Sequence, residues 1–271
     1  MTHTTWILSA ALAASLGSAG YAQTPQDDGL VIIQAQDVTW SPLNPLRGDQ
    51  SPRAGALWGD RTRDEAAGFL VEFREGFASP AHIHNITYRG VVISGLLHND
   101  DPNAADMWMP EGSFWTQPAG EGHVTAASGQ ANLAYIEIDE GPYLVQPVDG
   151  AFDTGERPIN IDASNLVWTP LSADPDAGLE LAFLWGAPDA GETGVMVQLQ
   201  DGARLTVGAD ETPSRLVVIE GHVTVDSQDI DLSPGGYVGV TEGASANLLC
   251  ASQTRCLVYA RTSTPYQVIQ P

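Results

Sequence analysis

The sequence predicts an all-β chain built from two copies of one barrel or sandwich unit, and three observations predict it. Short β-type runs recur from Val31 onward, at residues 69–73, 90–94, 131–138, 195–199 and 216–220, separated by Gly, Pro, Asp and Asn. After the first 22 residues no stretch carries a convincing amphipathic helical period. The third observation is an internal repeat. Trp40-Ser-Pro-Leu43 recurs as Trp168-Thr-Pro-Leu171, and Leu57-Trp-Gly59 as Leu184-Trp-Gly186. Residues 76–95 align without a gap onto 202–221, with Arg89 on Arg215 and Val91-Val92-Ile93 on Val217-Val218-Ile219. Pro142-Tyr143 is answered by Pro265-Tyr266. Runs such as Val91-Val92-Ile93, apolar on both faces, predict strands covered on both sides.

The 271 residues, 43% hydrophobic, suffice for one large domain or two small ones. The formal net charge is −23, and all 11 positive side chains are arginine. That balance argues against phosphate-backbone binding, and so against a nucleic-acid partner, and against an anionic membrane surface. The absence of lysine excludes Schiff-base catalysis by that residue.

Residues 1–22 read as an export signal: an apolar run from Trp6 to Gly17 followed by small residues ending Gly20-Tyr21-Ala22. The run is too short to span a bilayer as a mature helix, so no membrane span is expected in the mature protein. The signal lacks the usual Arg or Lys near its start. The expectation is a periplasmic or secreted protein beginning near Gln23, with an N-terminal segment over 23–37. A first unit over 38–150 follows, then a second over 151–271, joined through Gly-, Pro- and Asp-containing sequence around 150–165.

The first unit carries two patterns, Gly76-x5-His82-x-His84-x3-Tyr88-x6-Gly95 and Gly112-x5-Pro118-x-Gly120-x2-His123. On a strand, His82 and His84 project from one face because side chains alternate with period two. The turn-rich stretch from Pro118 to Gly122 can reverse the chain and return His123 from a neighbouring strand. Three neutral imidazoles could then converge on one ion.

The two patterns resemble the motifs of the cupin superfamily, Gly-x5-His-x-His-x3/4-Glu-x6-Gly and Gly-x5-Pro-x-Gly-x2-His-x3-Asn. The resemblance implies two tandem double-stranded β-helix (jelly-roll) barrels, with His82, His84 and His123 as metal ligands. Tyr88 stands where the family's glutamate ligand is expected, and Ala127 where its asparagine is. Tyr88 is therefore a candidate ligand or proton-transfer residue. Ser79-Pro-Ala-His-Ile-His-Asn and Thr116-Gln-Pro-Ala-Gly-Glu-Gly-His also resemble a bacterial cupin-like family of unknown function, over most of the mature chain.

The second copy has lost the histidines. His82 falls on Gly208, His84 on Asp210, Tyr88 on Ser214, and His123 on Asn247 when Pro110-x-Gly112 is set against Pro234-x-Gly236. It is expected to be a structural barrel that covers an edge or face of the first, shaping the pocket mouth or offering a homodimer face.

Other residues carry two readings each. His98, in the polar stretch Leu97 to Pro102, is either an acid/base over the pocket or, as favoured here, an exposed loop histidine. Met107-Trp108-Met109 is an apolar lid or core packing. Asp100, Asp101 and Asp106 fit no calcium cage, His222 reads as a turn residue, and His3 leaves with the signal. Cys250 and Cys256, the only cysteines, flank a predicted hairpin loop and are expected to be disulfide-bonded in an exported protein.

Three histidines leave a divalent ion its full charge and open positions, which suits binding of a small organic substrate through carbonyl, enolate or carboxylate oxygens. The family resemblance implies an oxygenase of dioxygenase type on Fe2+ as first choice, with lyase or isomerase chemistry on Zn2+, Mn2+ or Ni2+ as alternatives. A metal-containing binding or sensor module without turnover is the other class.

Overall fold

The computed structural model describes residues 28–172, 174–187 and 191–263. The export segment 1–22, His3 and the Pro265-Tyr266 match lie outside the described residues. The fold is all-β, with antiparallel sheets and a few short 3-10 turns. It consists of two jelly-roll lobes, each with a large seven-stranded sheet; the first adds two two-stranded sheets and the second one four-stranded sheet.

In the first large sheet the spatial order is Ile159–Ile161, Phe114–Gln117, Tyr88–Ser94, Asn132–Ile138, Ala67–Phe73, Arg53–Trp58 and Trp40–Pro42. The second repeats that order with Leu30–Ile33, Tyr237–Val240, Ser214–Glu220, Arg255–Thr262, Thr193–Gln200, Leu179–Gly186 and Thr169–Pro170. The outermost strands are exchanged. Leu30–Ile33, which precedes the first lobe in sequence, pairs with Tyr237–Val240 of the second. Ile159–Ile161, beyond Gly150, pairs with Phe114–Gln117 of the first. Each lobe thus has an edge capped by a strand from across the chain, which blunts an open hydrogen-bonding edge.

The two large sheets pack back to back, and this explains the doubly apolar strands. Val92 points into the first lobe with Phe69, Ile136 and Trp115, whereas Val91 and Ile93 point the other way, into a core shared by both lobes. In the second lobe Val218 faces its own interior, while Val217 and Ile219 face the shared core. Alternation on one strand therefore serves two cores.

The boundary between the lobes also buries a polar cluster with approximate two-fold symmetry. The Arg89 guanidinium stacks 3.8 Å over Trp185, and its counterpart Arg215 stacks 4.9 Å over Trp58. Trp58 Nε1 donates to the Tyr135 hydroxyl at 3.0 Å, and Trp185 Nε1 to the Tyr259 hydroxyl at 2.8 Å. Both tyrosines donate to the buried Glu137 carboxylate, at 3.0 and 2.7 Å. Burial pushes the Glu137 carboxyl up, while Arg261 and Arg89 hold it down.

Cys250 and Cys256 form the expected disulfide, with Cα atoms 5.7 Å apart. It closes the connection between Ser245–Cys250 and Arg255–Thr262. Among the described residues, no helix is long and apolar enough to cross a membrane.

Candidate metal centre

His82–His84 is a three-residue strand held on both sides. Val145–Pro147 pairs with it antiparallel, placing Val145 opposite His84 and Pro147 opposite His82. On its other side His82 and His123 exchange both backbone bonds, N to O at 3.0 and 2.9 Å. The turn before His123 is tight because Gly120 (φ 77°) faces Phe152, where an added Cβ would lie 2.3 Å from the Phe152 carbonyl oxygen. The Gly120 amide donates to the His84 carbonyl at 2.8 Å, which fixes the turn to the His-x-His strand.

This backbone brings the three predicted imidazoles together. Ring centroids of His82 and His123 are 4.2 Å apart, those of His82 and His84 5.0 Å, and those of His84 and His123 5.1 Å. One ring nitrogen from each lies within 4.8 Å of the other two. His84 and His123 are buried and His82 is half-buried, so the cluster opens toward solvent on the His82 side.

The tautomer of each ring is set by a carbonyl. Nδ1 of His82 donates to the Pro80 oxygen at 2.9 Å, Nδ1 of His84 to the Leu144 oxygen at 2.9 Å, and Nδ1 of His123 to the Glu121 oxygen at 3.1 Å. An Nδ1 that donates leaves its Nε2 as the lone-pair nitrogen. Nε2 of His123 is buried without a hydrogen-bond partner, a costly state for a polar atom. The donor set therefore fits a divalent ion of imidazole preference.

Electrostatics keep the rings neutral, as ligation requires. Burial lowers His84 well below the usual histidine value, helped by His123 and His82. Burial, with His82 adding, takes His123 to about 3. His82 is lowered by burial too, against its bond to the Pro80 carbonyl, with the Arg47 charge adding to the lowering.

Tyr88 lies in Tyr88–Ser94 with its ring edge on His84, centroids 5.0 Å apart. Its hydroxyl donates to Asn99 Oδ1 at 3.0 Å, which Thr125 Oγ1 also bonds at 2.7 Å. Asn99 Nδ2 donates to Gln117 Oε1 at 2.8 Å, and Gln117 Nε2 to the Glu121 carbonyl at 3.1 Å. That carbonyl is the one that orients His123, so Tyr88 is tied to the cluster through a row of buried amides. Burial pushes the Tyr88 phenol above its ordinary value.

A residue that motif spacing did not single out stands closer. The Tyr143 hydroxyl donates to Nε2 of His84 at 3.2 Å, and the two rings stack with centroids 4.3 Å apart. Asn85, next to His84, holds this segment: its Nδ2 donates to the Pro142 carbonyl and its Oδ1 accepts from the Leu144 amide, both at 2.9 Å. The only sequence signal at Tyr143 was its place in the repeat.

His98 is buried in Leu97–Asp100, not exposed in a loop; Nδ1 donates to the Met107 carbonyl at 3.3 Å and the ring neighbours Trp108. Met109 is core, packed in the first lobe and bonded to Leu97. Trp108 and His98 line a cleft of about 510 Å³ whose walls do not include the three histidines. In the second lobe, Gly235 N bonds Val218 O as Gly112 N bonds Val92 O. The counterpart of His123 is thus the buried Ala246, one residue before Asn247. Among the described residues, His82, His84 and His123 are the only group of His, Cys, Asp or Glu placed to hold a metal.

A family model described as Domain of unknown function (DUF4437) matches residues 31–269. No curated protein matches the chain. Among solved structures, a candidate dioxygenase from Nostoc punctiforme superposes with TM-score 0.67 at 13% identity, covering 91% of this chain and 88% of that one. Protein Ylba from E. coli gives TM-score 0.60 at 12% identity, covering 92% and 97%. The oxalate decarboxylase of Lactobacillus farciminis, in a formate complex, gives TM-score 0.58 at 10% identity, covering 88% and 87%. At such identities the likeness is one of fold.

Proposed function

The chain belongs to the DUF4437 family, and from that premise we propose that it is an exported bicupin of the cupin superfamily, a metal-dependent enzyme for a small oxygen-bearing organic substrate. The reaction type we favour is oxygenation of dioxygenase type. The observation that carries the metal-enzyme reading is that each of the three imidazoles places a ring nitrogen within 4.8 Å of the other two, with every Nδ1 committed to a backbone carbonyl. A divalent ion held there, Fe2+ first with Mn2+, Zn2+ or Ni2+ as alternatives, supplies a Lewis acid with open positions for substrate oxygens.

The chain's own residues do the rest. His82, His84 and His123 bind the ion as neutral rings. The half-buried side of His82 is the entrance. Tyr88 closes the inner wall; burial keeps its phenol protonated, so the proton transfer open to it is donation. Three-histidine chemistry is also consistent with the dioxygenase and oxalate decarboxylase names among the fold neighbours. The Cys250–Cys256 bond supports an oxidising compartment, periplasmic or extracellular.

Protein purified under argon, analysed for metals and then assayed for oxygen uptake against diketones, catechols, hydroxy acids and oxalate, tests the reading. Metal-dependent uptake with one substrate class supports oxygenation. Carbon dioxide release without oxygen uptake moves the reading to a decarboxylating lyase. Bound metal with no turnover across the panel favours the sensor class.

A further inference from the structure

The cleft of about 510 Å³ beside Trp108 plays no part in the metal chemistry, and the two carboxylates in its wall, Glu75 and Asp106, face no arginine there. We infer that it is a second binding site, for a protonated primary amine that carries a compact apolar group.

Strand pairing builds the floor. Ala126 stands opposite His98 where Val124–Ala127 pairs with Leu97–Asp100, and Ala78 bridges to Ala126 on its other side. Directly opposed residues share one face of a sheet, so Ala78, Ala126 and His98 form a row on one surface. All three line the cleft. Two small side chains beside an imidazole leave a hollow. Trp108 forms the roof, its ring centroid 5.9 Å from that of His98, and remains 36% exposed. It is held there because Leu97 and Met109 exchange both backbone bonds, at 3.0 and 2.7 Å.

The polar groups in the wall accept hydrogen bonds. His98 is 6% exposed, and its Nδ1 donates to the Met107 carbonyl at 3.3 Å. In the neutral ring Nε2 then keeps its lone pair, with no hydrogen-bond partner among the described residues. A buried polar atom in that state calls for a donor. Ionised carboxylates likewise only accept, and neither Glu75 nor Asp106 has an ion-pair partner among the described residues. The chain has no lysine, so an anion entering the cleft would meet no lysine or arginine.

An ammonium group is the complement of this wall. It carries three N–H donors and no acceptor, which suits the His98 lone pair and the two carboxylates. Its charge is attracted to the indole face of Trp108, and the net charge of −23 raises the local concentration of cations. Phe77 and Val124 supply apolar wall for the remainder of the ligand.

Isothermal titration of the purified protein at low ionic strength tests the inference, with 2-phenylethylamine, 2-phenylethanol and 3-phenylpropionate as probes. Because an amine can also ligate a metal, the titration is repeated on His84→Ala. The expected result is one amine site of equal affinity in both proteins, at least about tenfold tighter than the site's affinity for the alcohol or the carboxylate. Trp108→Ala and the double variant Glu75→Gln, Asp106→Asn, which alter exposed residues, should each weaken amine binding about tenfold with an unchanged circular dichroism spectrum. Absence of amine binding in wild type, equal binding of the alcohol or the carboxylate, loss of the site in His84→Ala, or unchanged affinity in either cleft variant overturns the assignment. None of these outcomes bears on the three-histidine site.

Discussion

Glu137 and Arg261 occupy corresponding places in the two halves and meet at the buried boundary between them, 3.8 Å apart. Glu137 stands opposite Arg89 in its own sheet, as Arg261 stands opposite Arg215. The repeat thus sets an acid against a base where two identical side chains would otherwise have met. Removing one partner of a buried pair leaves the other charge uncompensated, at a cost of about 3–5 kcal/mol. Glu137→Ala is expected to lose that much stability in urea denaturation, because Arg89 loses a partner and both tyrosine hydroxyls lose their acceptor. Its metal content should be unchanged, since the histidines lie on the opposite face of the sheet. A loss below about 1 kcal/mol would show that Asp139 and Glu192 hold Arg261 without Glu137.

The metal-free protein should lose stability in mild acid. The unfolded chain binds a proton at His123 near pH 6.5, but the folded chain resists it until about 3. This contribution is complete above pH 6.5 and is lost as pH falls toward 3, by up to about 1.4 kcal/mol per pH unit. His84 acts in the same direction. Between pH 7 and 5, metal-free wild type is expected to lose about 2 kcal/mol more than His123→Asn. Equal losses in the two proteins would contradict the burial of a neutral His123.

The Cys250–Cys256 bond closes a short loop between two strands of the second lobe. Chain entropy alone makes such a closure worth about 2 kcal/mol. The double variant Cys250→Ser, Cys256→Ser should fall by that amount in denaturant titration and keep its metal. Loss of metal in this variant would mean that the two lobes are coupled more tightly than their separate interiors indicate.

Asn85 has no contact with the proposed ion, yet it anchors the segment that orients His84. Outer-shell partners of this kind carry roughly 10–100-fold in metal affinity. Asn85→Ala should show a loss in that range in competition with a chelator, whereas Tyr88→Phe, whose Asn99 partner keeps Thr125, should stay within a few-fold of wild type. The reverse order would place the controlling contact on the Tyr88 side.

Much of this was legible in the residues because it follows from short-range periods. Two-residue alternation puts His82 and His84 on one face, and Gly120 with Pro118 marks the turn that returns His123. The apolar triplet at Val91 signalled a strand covered twice, although only the tertiary structure shows the covering to be the other lobe. Tyr143 was not legible as a site residue, because its place depends on an anchor from Asn85 far back in the chain. Polar neighbours disguised His98, which an alternating strand turns inward. A one-residue slip in the second half hid Ala246 as the true counterpart of His123, since glycine and proline spacing fixes turns more loosely than hydrogen-bonded register does.

The first lobe alone is expected to hold one ion, through its three histidines. Elemental analysis of purified wild type, His84→Ala and the double variant His82→Ala, His84→Ala tests it directly, with a β-rich circular dichroism spectrum as the check on folding. Close to one divalent metal per chain is expected in wild type and none retained in either variant. Unchanged metal in His84→Ala, or two metals per chain in wild type with one surviving the double substitution, would contradict it.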